Sequence, residues 1–345
     1  MGAGYVYARW ANPTVDALEA AIADLEGAEV AEAFASGMAA ISAIFLAHCR
    51  AGDRVVAARQ LYGNTHSLLS ERLPRYGIEA STFDLLDYDG MAGALEGARL
   101  LFCETIGNPR VQVADLPRLA EIAARAGLPL VVDNTFASPY LCRPLEHGAA
   151  LVVHSATKLI GGHHDLLGGI VCGDTEQIEP IRAVGRDLGA TLAPFNAWLA
   201  LRGVATLPVR AERSCASALA VAEALQAHPR VERVDYPGLD TDPSRPLADA
   251  LLGGRGGTIM GVDIAGGRAE AKDFQGRLRL IKKAASVGGT HSLIVHAASI
   301  THTQLSPAQL LDAGISEGFC RLSIGLEDPR DLIADVTQAL EASGP

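Results

Sequence analysis

The stretch LPLVVDNTFASPYLCRPLEHGAALVVHSATK, residues 128–158, holds two apolar runs separated by a turn-rich segment. LPLVVDN (128–134) is apolar until it ends in Asp133, and ALVVHSATK (150–158) ends in Ser155, Thr157 and Lys158. Runs this short and this apolar fit strands buried on both faces of a parallel sheet. Working outward, the same unit recurs. Upstream, TVDALEAAIADLEG (14–27) reads as an amphipathic helix closed by a glycine, and AEAFA (31–35) as a strand. Ser36-Gly37 then opens a helix over MAAISAIFLAHC (38–49). DRVVAA (53–58), EASTFD (79–84), RLLFCE (99–104) and GGIVCG (168–173) read as further strands, with helices at 65–75 and 116–127 between them. Strands alternating with helices predict an α/β fold with a mostly parallel sheet covered on both sides. Ligands in such sheets bind beyond the carboxyl ends of the strands. Glu104, Asp133, Ser155 and Lys158 all fall there.

Downstream, residues 196–227 read as one long helix. RVERVDYPG (230–238), TIMGVDI (258–264), KAASVGG (283–289) and CRLSIGL (320–326) read as strands, with helices near 268–279, 307–312 and 329–342. The pattern predicts a large domain over 1–205 and a smaller α/β C-terminal domain over 206–345, as expected for a chain of 345 residues.

A formal charge of −11 argues against a nucleic-acid partner, whose phosphates call for a basic face. No run of 18 or more uncharged apolar residues suggests a membrane span, and MGAGYVYARWANPT lacks the basic-then-apolar order of a signal peptide. A cytoplasmic location is expected. The six cysteines have no CxxC spacing and read as reduced, buried thiols.

The polar residues at strand ends suggest chemistry. Lys158, between Thr157 and the glycine-rich LIGGHHD, could form an imine with an aldehyde cofactor and shuttle protons, although most lysines simply lie at the surface. The hydroxyls of Ser155 and Thr157 could reach a phosphate. Asp133 could pair with a protonated ring nitrogen, which would offset its burial; the alternative is a turn or capping aspartate. Ser36-Gly37-Met38 offers backbone N–H groups at a helix start, a common phosphate cradle. Tyr62 could stack on a flat ring or simply pack. Arg321 could anchor a carboxylate or sit on a strand surface. His163, His164 and Asp165 lack a clean ligand spacing, so no metal is expected.

These motifs together resemble the Cys/Met-metabolism family of pyridoxal 5′-phosphate (PLP) enzymes, the group of cystathionine γ-lyase, cystathionine γ-synthase and methionine γ-lyase. The resemblance runs from about Tyr7 to Leu340 through YARWANPT, AFASGMAA, YGNT, ETIGNP, VVDNTFASPY, HSATK, GGHHD, LRGVATL, YPGL and RLSIGLED, in the family's order. It implies the type I PLP-dependent transferase fold, similar to aspartate aminotransferase. It also implies that Lys158 carries the cofactor as a Schiff base and acts as general acid and base. Asp133 pairs with the pyridine nitrogen, supported by Thr135. Tyr62 stacks on the ring and takes part in proton transfer. Ser36, Gly37, Met38, Ser155 and Thr157 surround the phosphate, with Tyr7 and Arg9 reaching the phosphate of a neighbouring subunit in a dimer of dimers. Asn108 and Arg321 contact the substrate carboxylate, helped by the backbone of Ser286 and Val287.

The implied activity is γ-elimination on a sulfur amino acid, as in cystathionine γ-lyase, with γ-replacement on O-succinyl- or O-acetyl-L-homoserine as the alternative. A third expectation, a non-catalytic partner subunit, is opposed by the intact Lys158, Asp133, Tyr62 and Arg321. Four features depart from the family. Six residues precede Tyr7 where the family has a longer arm packed across the subunit interface, so either the start is truncated or the arm is shortened. Ala11 replaces a glycine. Asn64 stands where methionine γ-lyases carry a cysteine, and His291 where cystathionine lyases carry a glutamate near the distal end of the substrate.

Overall fold

The apolar runs form strands buried on both faces, whereas the edge strand over 79–83 buries only Phe83. β1 (Val30–Phe34), β2 (Arg54–Ala58), β3 (Glu79–Phe83), β4 (Ala98–Glu104), β5 (Leu130–Asp133), β6 (Leu151–Ser155) and β7 (Gly169–Gly173) build a seven-stranded sheet ordered β1-β7-β6-β5-β4-β2-β3. β7 runs antiparallel to both of its neighbours, and the other ladders are parallel. The mostly parallel sheet expected from the sequence is therefore present. The computed structural model describes residues 4–85, 87–300, 310 and 314–342.

The helices around this sheet start where the sequence supplies caps. α1 (Pro13–Glu26) opens on Asn12, whose side chain accepts from Thr14 N, and closes on Gly27 in the left-handed region. α2 (Gly37–His48) opens on Ser36, whose hydroxyl accepts from Ala39 N. The segment read as a helix over 65–75 is composite: an α turn, α3 (Gly63–Ser67), then a π turn over Leu68–Arg72 and a 3-10 turn over Leu73–Tyr76. Pro74 supplies no N–H to a continuing ladder, so the segment tightens and stops at Gly77. A helix over Thr175–Leu188 with Pro180 inside it was not anticipated.

The long helix expected over 196–227 is instead two, Pro194–Val204 and Leu207–Gln226. Pro208 lacks the N–H that would bond back to Val204, and Ala205 and Thr206 close the first helix by bonding to Leu201 O and Gly203 O.

The chain divides into two compact units: one takes the residues to Thr105 with Ala114–Leu207, and the other takes Ile106–Val113 with the chain from Pro208 onward. In the second unit β8 (Val231–Asp235), β9 (Ile259–Ile264), β10 (Lys282–Lys283), β11 (Leu293–His296) and β12 (Phe319–Ser323) form a sheet ordered β10-β11-β12-β9-β8. Its core joins Phe274, Met260, Leu322, Val221 and Val336. The excursion Ile106–Val113 is tied into this unit by Arg110, whose Nη1 donates to Asp235 Oδ2 and Asp263 Oδ2, both at 2.6 Å. KAASVGG is not a strand beyond Lys283: Gly288 adopts φ 76° and its N–H donates to Ser323 Oγ, so the segment turns away from the sheet. The neighbouring strand is Leu293–His296. The helix expected near 307–312 lies outside the described residues apart from Leu310.

Candidate cofactor and substrate sites

In the first unit, parallel β6, β5, β4 and β2 bring their carboxyl ends to one sheet edge. Asp133 closes β5, Glu104 closes β4, Ser155 closes β6 and Tyr62 follows β2 by four residues. The Lys158 turn starts from β6, with Lys158 N donating to Ser155 O at 3.1 Å and Lys158 O accepting from Gly162 N at 2.7 Å. The lysine side chain is half-buried.

The N-terminus of α2 meets this edge at close range. A Cβ at Gly37 would lie 2.8 Å from Ser155 Cβ, and one at Gly169 would lie 2.2 Å from Ser36 O. Only glycine lets the α2 start, the β6 end and the β7 start approach this closely. The result is a cradle in which Ser36 and Gly37 approach Ser155 and Gly169, with Thr157 Oγ1 accepting from Gly168 N at 3.1 Å and Met38 Sδ accepting from Thr65 Oγ1 at 3.8 Å. Free N–H groups at a helix start favour a bound phosphate.

Asp133 is only 9% exposed. Burial pushes its carboxyl above the usual range; hydrogen bonds from Thr135 pull it back, as does, through space, the electrostatic influence of His154. Thr135 N donates to Asp133 Oδ1 at 2.9 Å, and Thr135 Oγ1 accepts from Ser155 N at 2.8 Å, so Thr135 links the two strand ends. A buried carboxylate, a helix-start cradle and a lysine at the same strand ends fit PLP, whose ring nitrogen would supply a cation opposite Asp133.

Tyr62, 45% exposed, is fixed at its backbone, where its N–H donates to Glu104 Oε1 at 2.6 Å. Its phenol oxygen accepts from Asn64 Nδ2 at 3.2 Å. Glu104 was seen in the sequence only as a strand-end residue, and its part in holding the Tyr62 loop spans 42 residues. Tyr7 and Arg9 lie apart from this cluster, on the exposed surface. Tyr7 is 55% exposed, and Arg9 stacks over it at 5.2 Å while donating to Arg186 O at 2.6 Å.

In the second unit, Arg321 lies on β12, whose five residues are all buried, and is itself 7% exposed. Its Nη1 donates to Asn108 Oδ1 at 2.9 Å. The reading of a surface strand arginine is therefore wrong: β12 is central, flanked by β9 and β11. The segment with Ser286 and Val287 is fastened to the end of the same strand through Gly288 N and Ser323 Oγ, and Ser292 N and Oγ both donate to Glu327, at 2.7 and 2.8 Å. Val287 is buried, Ser286 half-buried and His291 exposed, with its Nδ1 3.0 Å from Thr290 Oγ1.

His163 Nδ1 meets Gly161 O at 2.8 Å, and among the described residues no three His, Cys, Asp or Glu side chains gather as metal ligands. The six cysteines are free and buried, which holds their thiols above the usual range, for example Cys49 up to about 11. No described helix is long and apolar enough to cross a membrane.

A family model described as Cys/Met metabolism PLP-dependent enzyme matches residues 1–341. The chain is 43% identical over 344 residues to L-methionine gamma-lyase of Pseudomonas putida, covering 99% of this chain and 86% of that protein. It is 40% identical to O-acetyl-L-homoserine sulfhydrylase of Leptospira meyeri, covering 98% and 86%. The crystal structure of cystathionine gamma synthase from Xanthomonas oryzae pv. oryzae superposes with a TM-score of 0.95 at 39% identity, covering 98% of this chain and 87% of that one. The fold is thus the type I fold of PLP enzymes, similar to aspartate aminotransferase. With a cradle, a lysine and a buried carboxylate on one sheet edge, the chain belongs to the Cys/Met metabolism PLP-dependent enzyme family and is a PLP-dependent enzyme of elimination or replacement chemistry on sulfur amino acids.

Proposed function

We propose that the protein catalyses γ-elimination from a thioether amino acid, with L-cystathionine and water giving L-cysteine, 2-oxobutyrate and ammonia. The observation that carries this reading is the presence of two proton-handling groups on one sheet edge, Lys158 after β6 and Tyr62 after β2. Breaking a Cγ–S bond requires removal of protons at Cα and Cβ and delivery of one to the departing sulfur. Lys158 moves the protons at Cα and Cβ. Tyr62, its oxygen oriented by Asn64, serves the sulfur end.

Bound PLP supplies the electron sink for this chemistry. Asp133, braced by Thr135, holds its ring nitrogen, and Ser36, Gly37, Met38, Ser155 and Thr157 hold its phosphate. Arg321 and Asn108 take the substrate carboxylate with the backbone of Ser286 and Val287, and His291 faces the distal end of the substrate. Tyr7 and Arg9, exposed in the single chain, reach the phosphate of a second copy in a dimer of dimers.

Likeness to a methionine γ-lyase supports elimination. Asn64, in place of the cysteine of that group, favours cystathionine over methionine. The second reading, γ-replacement on an O-acyl-L-homoserine, is supported by likeness to the sulfhydrylase and to the cystathionine synthase, a protein also solved in complex with cystathionine.

The test is to incubate PLP-loaded protein with L-cystathionine, with L-methionine, and with O-succinyl- or O-acetyl-L-homoserine plus L-cysteine, identifying products by mass spectrometry. Cysteine and 2-oxobutyrate from cystathionine establish the reading. Cystathionine formed in the third mixture, with no elimination in the first, establishes replacement. Methanethiol from methionine alone moves the substrate to methionine.

A further inference from the structure

Behind Asp133, on the reverse face of the sheet, lies a polar cluster that the reaction itself does not use. Glu26, the last residue of α1, is fully buried, and its Oε1 lies 2.6 Å from Nε2 of His154, itself 1% exposed. Asn134 Nδ2 donates to the same Glu26 oxygen at 3.0 Å and to Cys142 O at 2.8 Å, while Asn134 Oδ1 accepts from Thr105 Oγ1 at 2.7 Å.

These contacts determine who donates. The Cys142 carbonyl can only accept, so it pins the Asn134 amide with its nitrogen toward Glu26. Glu26 Oε1 therefore accepts from Asn134, and on its other side it meets His154 Nε2 in a second hydrogen bond. A side chain this deeply buried is tolerated because polar partners meet it, and Asn134 and His154 are the ones in place at Glu26 Oε1.

The cluster is joined to Asp133 by the backbone. Asp133 pairs with Val153, Asn134 N donates to Val153 O at 2.9 Å, and Ser155 N donates to Thr135 Oγ1 at 2.8 Å. Side chains alternate along a strand, so Asp133 faces the cofactor side while Asn134 and His154 face Glu26. We propose that Glu26, His154 and Asn134 are positioning residues for the cofactor ring, a buried network that fixes the placement and the negative charge of Asp133. This rests on the reading of Asp133 as the partner of the ring nitrogen. The His154 imidazole opposes the effect of burial on the Asp133 carboxyl, in the direction that keeps it ionised.

The experiment compares equilibrium binding of PLP and of 1-deazapyridoxal 5′-phosphate, an analogue without the ring nitrogen, to full-length apoenzyme. It uses the native protein and the His154→Gln, Glu26→Gln and Asp133→Asn variants. A network that acts through Asp133 on the ring nitrogen lowers PLP affinity by about tenfold in His154→Gln, equivalent to one pKa unit of differential interaction, and leaves analogue affinity unchanged. Glu26→Gln behaves alike and carries the test if His154→Gln does not fold. Equal losses for both ligands in these variants mean a purely structural role and overturn the inference. Selective loss in Asp133→Asn without selective loss in His154→Gln or Glu26→Gln overturns the inference alone. No selectivity in Asp133→Asn overturns the reading of Asp133, and the inference with it.

Discussion

If Lys158 carries the cofactor and moves its protons, it has no substitute at the β6 end, because the neighbouring polar side chains, Ser155 and Thr157, are hydroxyls without an amine. Lys158→Ala is expected to abolish turnover and the absorbance band near about 420 nm that marks PLP joined to a lysine. Titrating the purified variant with PLP while recording its spectrum checks this, and turnover at the native rate would remove Lys158 from the mechanism. Arg321 acts differently. It is buried and donates to Asn108, so Arg321→Ala removes a charged anchor and leaves Asn108 without that donor. Loss of one partner from a buried charged contact costs about 3 kcal/mol, roughly a hundredfold in kcat/KM. The loss should appear with every amino-acid substrate, since all share the carboxylate. Steady-state kinetics on cystathionine and methionine decides it: an unchanged kcat/KM for both places the carboxylate elsewhere.

At the scale of elements, what the sequence made legible followed burial. β4, β5 and β6 are short apolar runs with polar ends, and the candidate site residues Asp133, Ser155 and Lys158 stand out because they end or follow those runs. Ser36-Gly37 was visible because a small-residue turn before an apolar helix is a cap. The Glu26–His154 pair was not. Glu26 ends an amphipathic helix and reads as a surface charge, and its partner is 128 residues away. The break between Val204 and Leu207 was hidden because apolar periodicity continues across it, although Pro208 marked the place. β11 was missed because LIVH is a run of four, too short for period to separate strand from helix.

α1 carries a second consequence of burial. Glu19 accepts from Ala33 N at 2.8 Å. Burial and the neighbouring Glu32 carboxylate push it up to about 8 from the usual carboxylate range. The folded protein therefore holds a proton that the unfolded chain has released, and stability falls as pH rises from about 4.5 toward 8. Glu19→Gln, which stays neutral, is expected to flatten that slope by an amount on the order of a few kcal/mol across the window. Urea unfolding at pH 5 and pH 8 measures it; an equal pH dependence in both proteins would refute the assignment.

For the whole molecule, the decisive issue is whether one chain makes a complete site. The cradle at the α2 start is supplied by one chain, but Tyr7 and Arg9 are exposed, with Arg9 bound to Arg186 O instead of any cradle residue among its described contacts. If they serve a second copy, a defect in the arm and a defect in the lysine reside in different sites of one dimer. Arg9→Ala and Lys158→Ala homodimers would each be impaired, the first by weakened phosphate binding and the second by loss of chemistry. In a hybrid, the subunit with Arg9→Ala keeps its own Lys158 and receives an intact arm from its partner, so one of two sites is whole. Co-expression gives hybrids as half of randomly paired dimers, so activity should recover to roughly a quarter of native while the Lys158→Ala parent has none. Tagging the two chains differently and purifying the doubly tagged species raises the expected recovery to about half. Recovery in the hybrid above the mean of the two parents requires that the arm act across the interface. Activity equal to that mean would show that Tyr7 and Arg9 serve their own chain, and that each subunit works alone.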